Sequence, residues 1–375
     1  MGQGTESRPV GTEEGPGSGF ELGPETRSGP GAPSGPVVEA ETITVPLRDR
    51  PAWGLLMLAI LGCCVITSVL FSIYSGAVKV PLGDISRYIL DDTFQGPFRS
   101  IVWNIRIPRA IVGLLVGASL AVSGALLQGV MRNPLADPQI IGVSSGAGLF
   151  SILILIVFQE YEYLLPPAAF VGATLAAVII YILAWKDGIN PVRIVLAGAA
   201  VSAFLGAGIS GLMIFYSDRV HGALIFMVGG LSAKSWPHVW IIAPYAAAGL
   251  LLAGLGAGRM NLLLLGDAAA RNLGVRVEWV RLSMTAVATL LAASSVSVAG
   301  LLGFVGLIVP HATRLMIGKD YRLLLPASAL LGAAVVTFCD TLARLLWAPT
   351  ELPVGIIMGA VGAPFFLYLL RRQTM

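Results

Sequence analysis

Charge is scarce in this chain: 12% of its 375 residues are Asp, Glu, Lys or Arg, about half the share of a soluble domain. Most of its surface must therefore face something other than water. Cysteine and histidine are scarcer still, with three of each. Cys63, Cys64 and Cys339 lie in apolar stretches without CxxC spacing, which argues against a disulfide framework or zinc site and reads as small apolar packing residues. His221, His238 and His311 are isolated, and no set of Cys, His and carboxylates has metal-ligand spacing. A GxxxxGK[ST] loop is missing too, since Gly318-Lys319 is followed by Asp320, so the chain cannot bind ATP in the Walker manner. A net charge of +3 is too small to imply nucleic acid.

What is abundant is apolar. Hydrophobic residues make up 56% of the chain and there are 45 glycines, the small residues that let helices approach closely in lipid. Residues 1–50 differ: rich in Gly, Pro, Glu and Ser, they hold eight acids against four bases. Such a segment buries too little surface to offset its ordering entropy and reads as a disordered cytoplasmic tail. It lacks the basic-then-apolar order of a signal peptide. From residue 51 onward, apolar blocks fall at 53–74, 108–131, 139–158, 166–185, 193–216, 237–257, 279–300, 303–317, 324–346 and 353–370. At about 20 residues per crossing, the fold class is an all-α polytopic membrane protein of about ten transmembrane helices. The weakest block is 303–317, short and carrying Pro310, His311 and Arg314. The polar stretch 75–105, with Pro81, Asp84, Arg87, Asp91 and Asp92, reads as an outside loop with a short surface helix. Placing both termini in the cytoplasm puts 14 Lys and Arg inside and eight outside, with two in the tail, the expected sign of the positive-inside bias.

Ser119–Gly142 aligns with Ser295–Gly318 through Val122/Val298, Gly124/Gly300, Pro134/Pro310 and Gly142/Gly318. In this topology the copies run in opposite directions, as in an inverted repeat around a pathway; chance matching in a Gly-, Ala- and Val-rich chain is the alternative.

The most informative stretch is RIPRAIVGLLVGASLAVSGALLQGVMRNPLADPQIIGVSSGAG, Arg106–Gly148. Two arginines three apart precede a glycine-studded span, and a break at Asn133, Pro134, Asp137 and Pro138 leads into a second. Non-helical backbone at membrane depth survives only where protein buries it or a cavity hydrates it, so this is a candidate pathway wall. These residues resemble the FecCD-type, BtuC-like permeases, membrane subunits of ABC importers for ferric siderophores, haem and cobalamin. The resemblance continues through LGDAAARNLGV (265–275), GLLGFVGLIVPHATRLMIG (300–318), LLLPASALLGAAVVTFCDTLAR (323–344) and ELPVGIIMGAVGAPFFLYLLRR (351–372). It covers the chain from about residue 53.

The resemblance implies a transmembrane permease domain over 51–375 in the cell membrane, dimerised with a second copy or paralogue. It further implies cytoplasmic ABC ATPase subunits that use ATP, and an extracytoplasmic substrate-binding protein. The chain itself would be no enzyme and hold no cofactor or metal. Segment 259–278 would couple to the ATPase through Gly266, Asp267, Ala270, Arg271, Leu273 and Gly274, matching the family's LGxxxAxxLG pattern; a short surface helix is what a partner groove can grip. Arg106, Arg109 and Arg344 would dock acidic side chains of the binding protein from an outward rim. Lipid-headgroup anchoring is the alternative for Arg106 and Arg109, and an intrahelical pair with Asp340 for Arg344. Asn133, Pro134 and Leu135 would form the cytoplasmic gate, closing by occlusion and dewetting, or else a plain helix turn. Residues 186–192 are a weaker gate candidate without a motif.

The cargo expected is a ferric siderophore, moved by alternating access, with haem or cobalamin as alternatives. An ion-coupled secondary transporter is the competing class, but it calls for acidic residues within spans, and Asp340 is the one clear case. A membrane enzyme has no nucleophile–base or metal constellation to support it.

Overall fold

The computed structural model describes residues 51–373 apart from 77, 82, 85–86, 89–95, 140–141, 186–190 and 349. The tail 1–50, Asp91, Asp92 and most of the 186–192 gate candidate lie outside the described residues. We label the helices α1 (Pro51–Tyr74), α2 (Ile107–Val130), α3 (Val143–Ile156), α4 (Leu165–Ala184), α5 (Pro191–Phe215), α6 (Val220–Val228), α7 (Trp236–Leu264), α8 (Asp267–Asn272), α9 (Val277–Ala299), α10 (Val305–Ile317), α11 (Tyr321–Leu346) and α12 (Val354–Gln373). A π-helical turn, Ile101–Arg106, leads directly into α2. Among the described residues, seven helices are long and apolar enough to cross a membrane, namely α1, α2 with its π turn, α4, α5, α7, α9 and α11. Three shorter apolar helices, α3, α10 and α12, complete the ten expected blocks in order.

The centre is α2. From Val116 to Val130 every residue is buried, and α2 packs on α7, α9, α10 and α11. Lipid supplies no hydrophobic drive between helices, so contact depends on close packing of small residues. Gly117 faces Gly332 on α11, Gly124 faces Gly306 on α10, and Gly146 on α3 faces Gly172 on α4; a Cβ on Gly117, Gly124 or Gly146 would strike the facing carbonyl. By contrast α1 is peripheral, and Cys63 and Cys64 are exposed on its surface instead of packing inside it.

Side-chain bonds define two ends of the bundle. At one end Trp236 Nε1, at the start of α7, donates to Trp103 O at 2.9 Å. At the other, Trp53 Nε1 donates to Met316 O at 3.0 Å, and Asn261 bridges α7 to α11 by donating to Asp320 Oδ1 at 2.6 Å and accepting from Tyr321 N at 2.8 Å.

No apolar block predicts α6, whose nine residues are too few to cross. Phe226 O accepts from Leu301 N at 3.0 Å, Gly229 O accepts from Gly355 N at 3.1 Å, and Gly230 N donates to Ala299 O at 2.8 Å. Backbone polar groups that no helix satisfies are thus satisfied by other broken helix ends. Both aligned segments run from a long helix through a break into a short apolar one, and Gly142 and Gly318 share positive φ, but other aligned positions fall at different places. Gly124 lies mid-helix in α2 while its counterpart Gly300 ends α9 at φ +74°, and Pro134 lies in a break while Pro310 is inside α10.

Candidate functional sites at the two ends

Arg106, Arg109 and Arg344 gather at one end, but buried and facing inward, so they do not form the expected outward rim. Arg106 NH1 donates to Ile73 O at 2.7 Å and Tyr74 O at 3.0 Å, and NH2 donates to Val78 O. It thereby caps α1, whose last carbonyls have no intrahelical donor and favour a cation. Arg109 grips Asp340 with a two-pronged fork, Nε to Oδ2 at 2.8 Å and NH2 to Oδ1 at 2.9 Å, the geometry that suits guanidinium to carboxylate. Its NH1 donates to Glu351 Oε2 at 2.7 Å, which also accepts from Ser232 Oγ at 3.0 Å. Arg344 Nε lies 3.5 Å from Asp340 Oδ2, while its NH2 donates to Ser72 O, Ser72 Oγ and Thr341 Oγ1 at 3.0–3.2 Å. The intrahelical pair exists, yet Asp340 belongs first to Arg109.

Glu351 is the half-exposed member, and Arg109 and Asp340 are almost fully buried. Burial pushes the Glu351 carboxyl up, but the bonds from Arg109 outweigh it and hold the group below the ordinary carboxylate range. Glu351 and Ser232 were not singled out from sequence; they lie 242 and 123 residues from Arg109, and only the fold brings them to it.

The other end carries the six-residue α8. Gly266 enters it at φ +104°, ψ +155°, and Gly274 leaves it at φ +80°, both with open space where a Cβ would sit. Conformation, not crowding, requires glycine there. Gly266→Ala is expected to cost about 1–3 kcal/mol, because this backbone region is essentially reserved for glycine; thermal unfolding in detergent checks it. Ala270 is fully buried in the cluster that holds Leu263 and Val277. Arg271 pairs with Glu278 at 2.6 Å, and Leu273 points outward, 60% exposed.

The break after α2 is a folded element. Asn133 Oδ1 accepts from Leu135 N at 2.9 Å, and Asp137 Oδ1 accepts from Gln139 N at 2.8 Å, two side-chain-closed turns in succession. Pro134 is exposed and Leu135 half-buried. The structure brings this break against α8. Arg132 NH2 donates to Asp267 Oδ1 at 2.5 Å and to Leu263 O at 2.8 Å, and Arg281 NH2 donates to the same Asp267 oxygen at 2.9 Å. The part played by Arg132 was missed although it directly precedes Asn133; its partners lie 131 and 135 residues away.

A sequence model of the FecCD transport family matches residues 64–372. The Fe(3+)-citrate import system permease protein YfmE of Bacillus subtilis is 37% identical over 328 residues, covering 87% of this chain and 97% of the relative. The cobalamin import system permease protein BtuC of Halobacterium salinarum is 45% identical over 276 residues, covering 73% of this chain and 74% of the relative. Among solved structures, an inward-facing metal-chelate type ABC transporter superposes with a TM-score of 0.75 at 27% identity, covering 85% of this chain and 99% of that one.

Proposed function

The chain belongs to the FecCD transport family, a multi-pass membrane protein, and from that premise we propose that it is the permease subunit of an ATP-binding-cassette importer carrying a metal chelate by alternating access. The observation that carries this reading is α8: a six-residue helix held out between two positive-φ glycines, with Arg271 and Leu273 exposed. That is a shape a partner groove can grip. We assign it to a cytoplasmic ATPase, which places this end and both termini inside the cell. Gly266, Asp267, Ala270, Arg271, Leu273 and Gly274 form the coupling segment, and Asn133, Pro134 and Leu135 beside it form the inner gate. ATP hydrolysis belongs to the partner, and the pathway lies against a second copy or a paralogue.

The arginine end then faces outward, where a substrate-binding protein delivers cargo. Because Glu351 already occupies Arg109 from the exposed side, an incoming carboxylate reaches Arg109 or Arg344 by displacing it. The cargo proposed is a ferric siderophore. Cobalamin is the second reading, supported by the 45% identity to a cobalamin permease.

The test is uptake into liposomes holding the chain with its ATPase and binding protein. Labelled ferric siderophore is expected to enter only when ATP is present on the ATPase side. Uptake that proceeds without the ATPase on a proton or sodium gradient would replace this reading with a secondary transporter. ATP-driven uptake of cobalamin alone would change the cargo.

A further inference from the structure

We infer that Asp267 is the positioning residue that ties the coupling helix to the inner gate, through a carboxylate shared between Arg132 and Arg281. This inference rests on the coupling reading above and adds the residues that carry the motion. Three observations support it. One oxygen, Asp267 Oδ1, accepts from Arg132 on the break after α2 and from Arg281 on α9. The same Arg132 nitrogen donates to Leu263 O in the last turn of α7, a carbonyl that also accepts from Gly266 N at 3.3 Å at the entry to α8. Finally, Arg132 stands in left-handed backbone at φ +48°, a region that residues other than Gly, Asn and Asp seldom enter.

Together these fix the break in place as well as in shape. Its own bonds, from Leu135 N to Asn133 Oδ1 and from Asn133 N to Gln128 O, close a turn within the loop and tie it back to the end of α2. They do not locate it relative to α8. Arg132 does, and the next residue is Asn133. A displacement of α8 by a bound partner therefore reaches the gate through one ion pair and one peptide unit.

The charges are also placed for a bond that gives way and reforms. Arg281 is buried while Arg132 and Asp267 are each about a third exposed. Arg281 holds the carboxylate on α9, and the Arg132 bond lies at the wet edge, where ion pairs are individually weak and exchange with water. The arrangement is a fixed post with a movable arm.

The experiment uses the assembled complex in liposomes with Asp267→Asn and Arg132→Asn, separately and together. Asparagine suits both positions: it keeps the size of Asp267, and it tolerates the left-handed backbone at position 132. Arg132→Asn, outside the coupling segment, is expected to co-purify with the ATPase as the wild type does, and its complex to hydrolyse ATP. Uptake per ATP is expected to fall about tenfold, within the usual range of coupling between sites. The double variant should be no worse than either single one, because both break the same link. A spin label introduced by Leu135→Cys, in a chain also carrying Cys63→Ala, Cys64→Ala and Cys339→Ala so that no native thiol is labelled, should shift on ATP addition and stay still once Asp267→Asn or Arg132→Asn is added. Wild-type uptake per ATP in either variant, or additive losses, overturns the inference alone. So does loss of ATPase association by Asp267→Asn, which makes Asp267 a plain docking contact. A wild-type complex without ATP-driven uptake overturns the parent reading as well.

Discussion

Arg109→Met is expected to destabilise the protein by about 3–5 kcal/mol, the range for breaking a buried ion pair by removing one partner. Asp340 is almost fully buried, and both of its oxygens accept from Arg109. Without that fork its nearest cation is Arg344 Nε at 3.5 Å, and Glu351 keeps the bond from Ser232. An uncompensated carboxylate away from water then opposes folding. Replacing both partners, as in Arg109→Met with Asp340→Leu, should recover much of the loss, because apolar groups of similar volume often match a buried pair. Thermal unfolding in detergent separates the three proteins. A wild-type midpoint for Arg109→Met would show that the fork contributes nothing. The same geometry governs any docking experiment at this end. Arg109→Glu would set a third carboxylate against Asp340 and Glu351, so lost association in that variant would report a disrupted end, not a missing contact. Glu351→Gln is the cleaner probe, since it releases Arg109 without burying a new charge.

How far the sequence carried depended on the range of each interaction. Ten apolar blocks predicted ten apolar helices, because crossing length and apolar content are local properties. The α8 motif was equally readable: Gly266 and Gly274 mark the positive-φ turns that bound a six-residue helix. The helix α6 was not, because nine residues give too little periodic signal and the carbonyls at its C-terminal end are satisfied by Leu301 and Gly355, distant in the chain. The arginines illustrate both outcomes. Their grouping at one end followed from topology, since Arg106 caps the start of α2, Arg109 lies in its first turn and Arg344 lies in the last turn of α11. Their direction did not. An arginine at a helix end is read as exposed unless its acceptors are known, and those acceptors are α1 carbonyls, the Asp340 carboxylate on α11 and the Glu351 carboxylate in the segment before α12.

The second large effect is expected from Gly124→Ala. A Cβ at this position falls on the carbonyl oxygen, carbonyl carbon and Cα of Gly306. These are backbone atoms of α10, with no rotamer to yield. Nor can α10 simply slide, because Gln128 Nε2 donates to Gly306 O at 3.1 Å and Leu307 O at 3.3 Å, and Arg314 NH1 donates to Gln128 Oε1. One methyl group should therefore cost about 3 kcal/mol, the upper part of the usual overpacking range, and lower the yield of folded protein. The matched control is Gly62→Ala on α1, where nothing lies within 4 Å of the added atom. That change should be neutral or stabilising by up to about 1 kcal/mol, since alanine gives up less backbone entropy in a helix. Both replace a helical glycine with alanine, so intrinsic propensity cancels between them and the difference isolates the α2–α10 contact. Equal unfolding temperatures for the two variants would mean that α10 can move off α2 at little cost. The bonds from Gln128 predict the opposite, a helix pair locked at the depth where Gly124 and Gly306 meet.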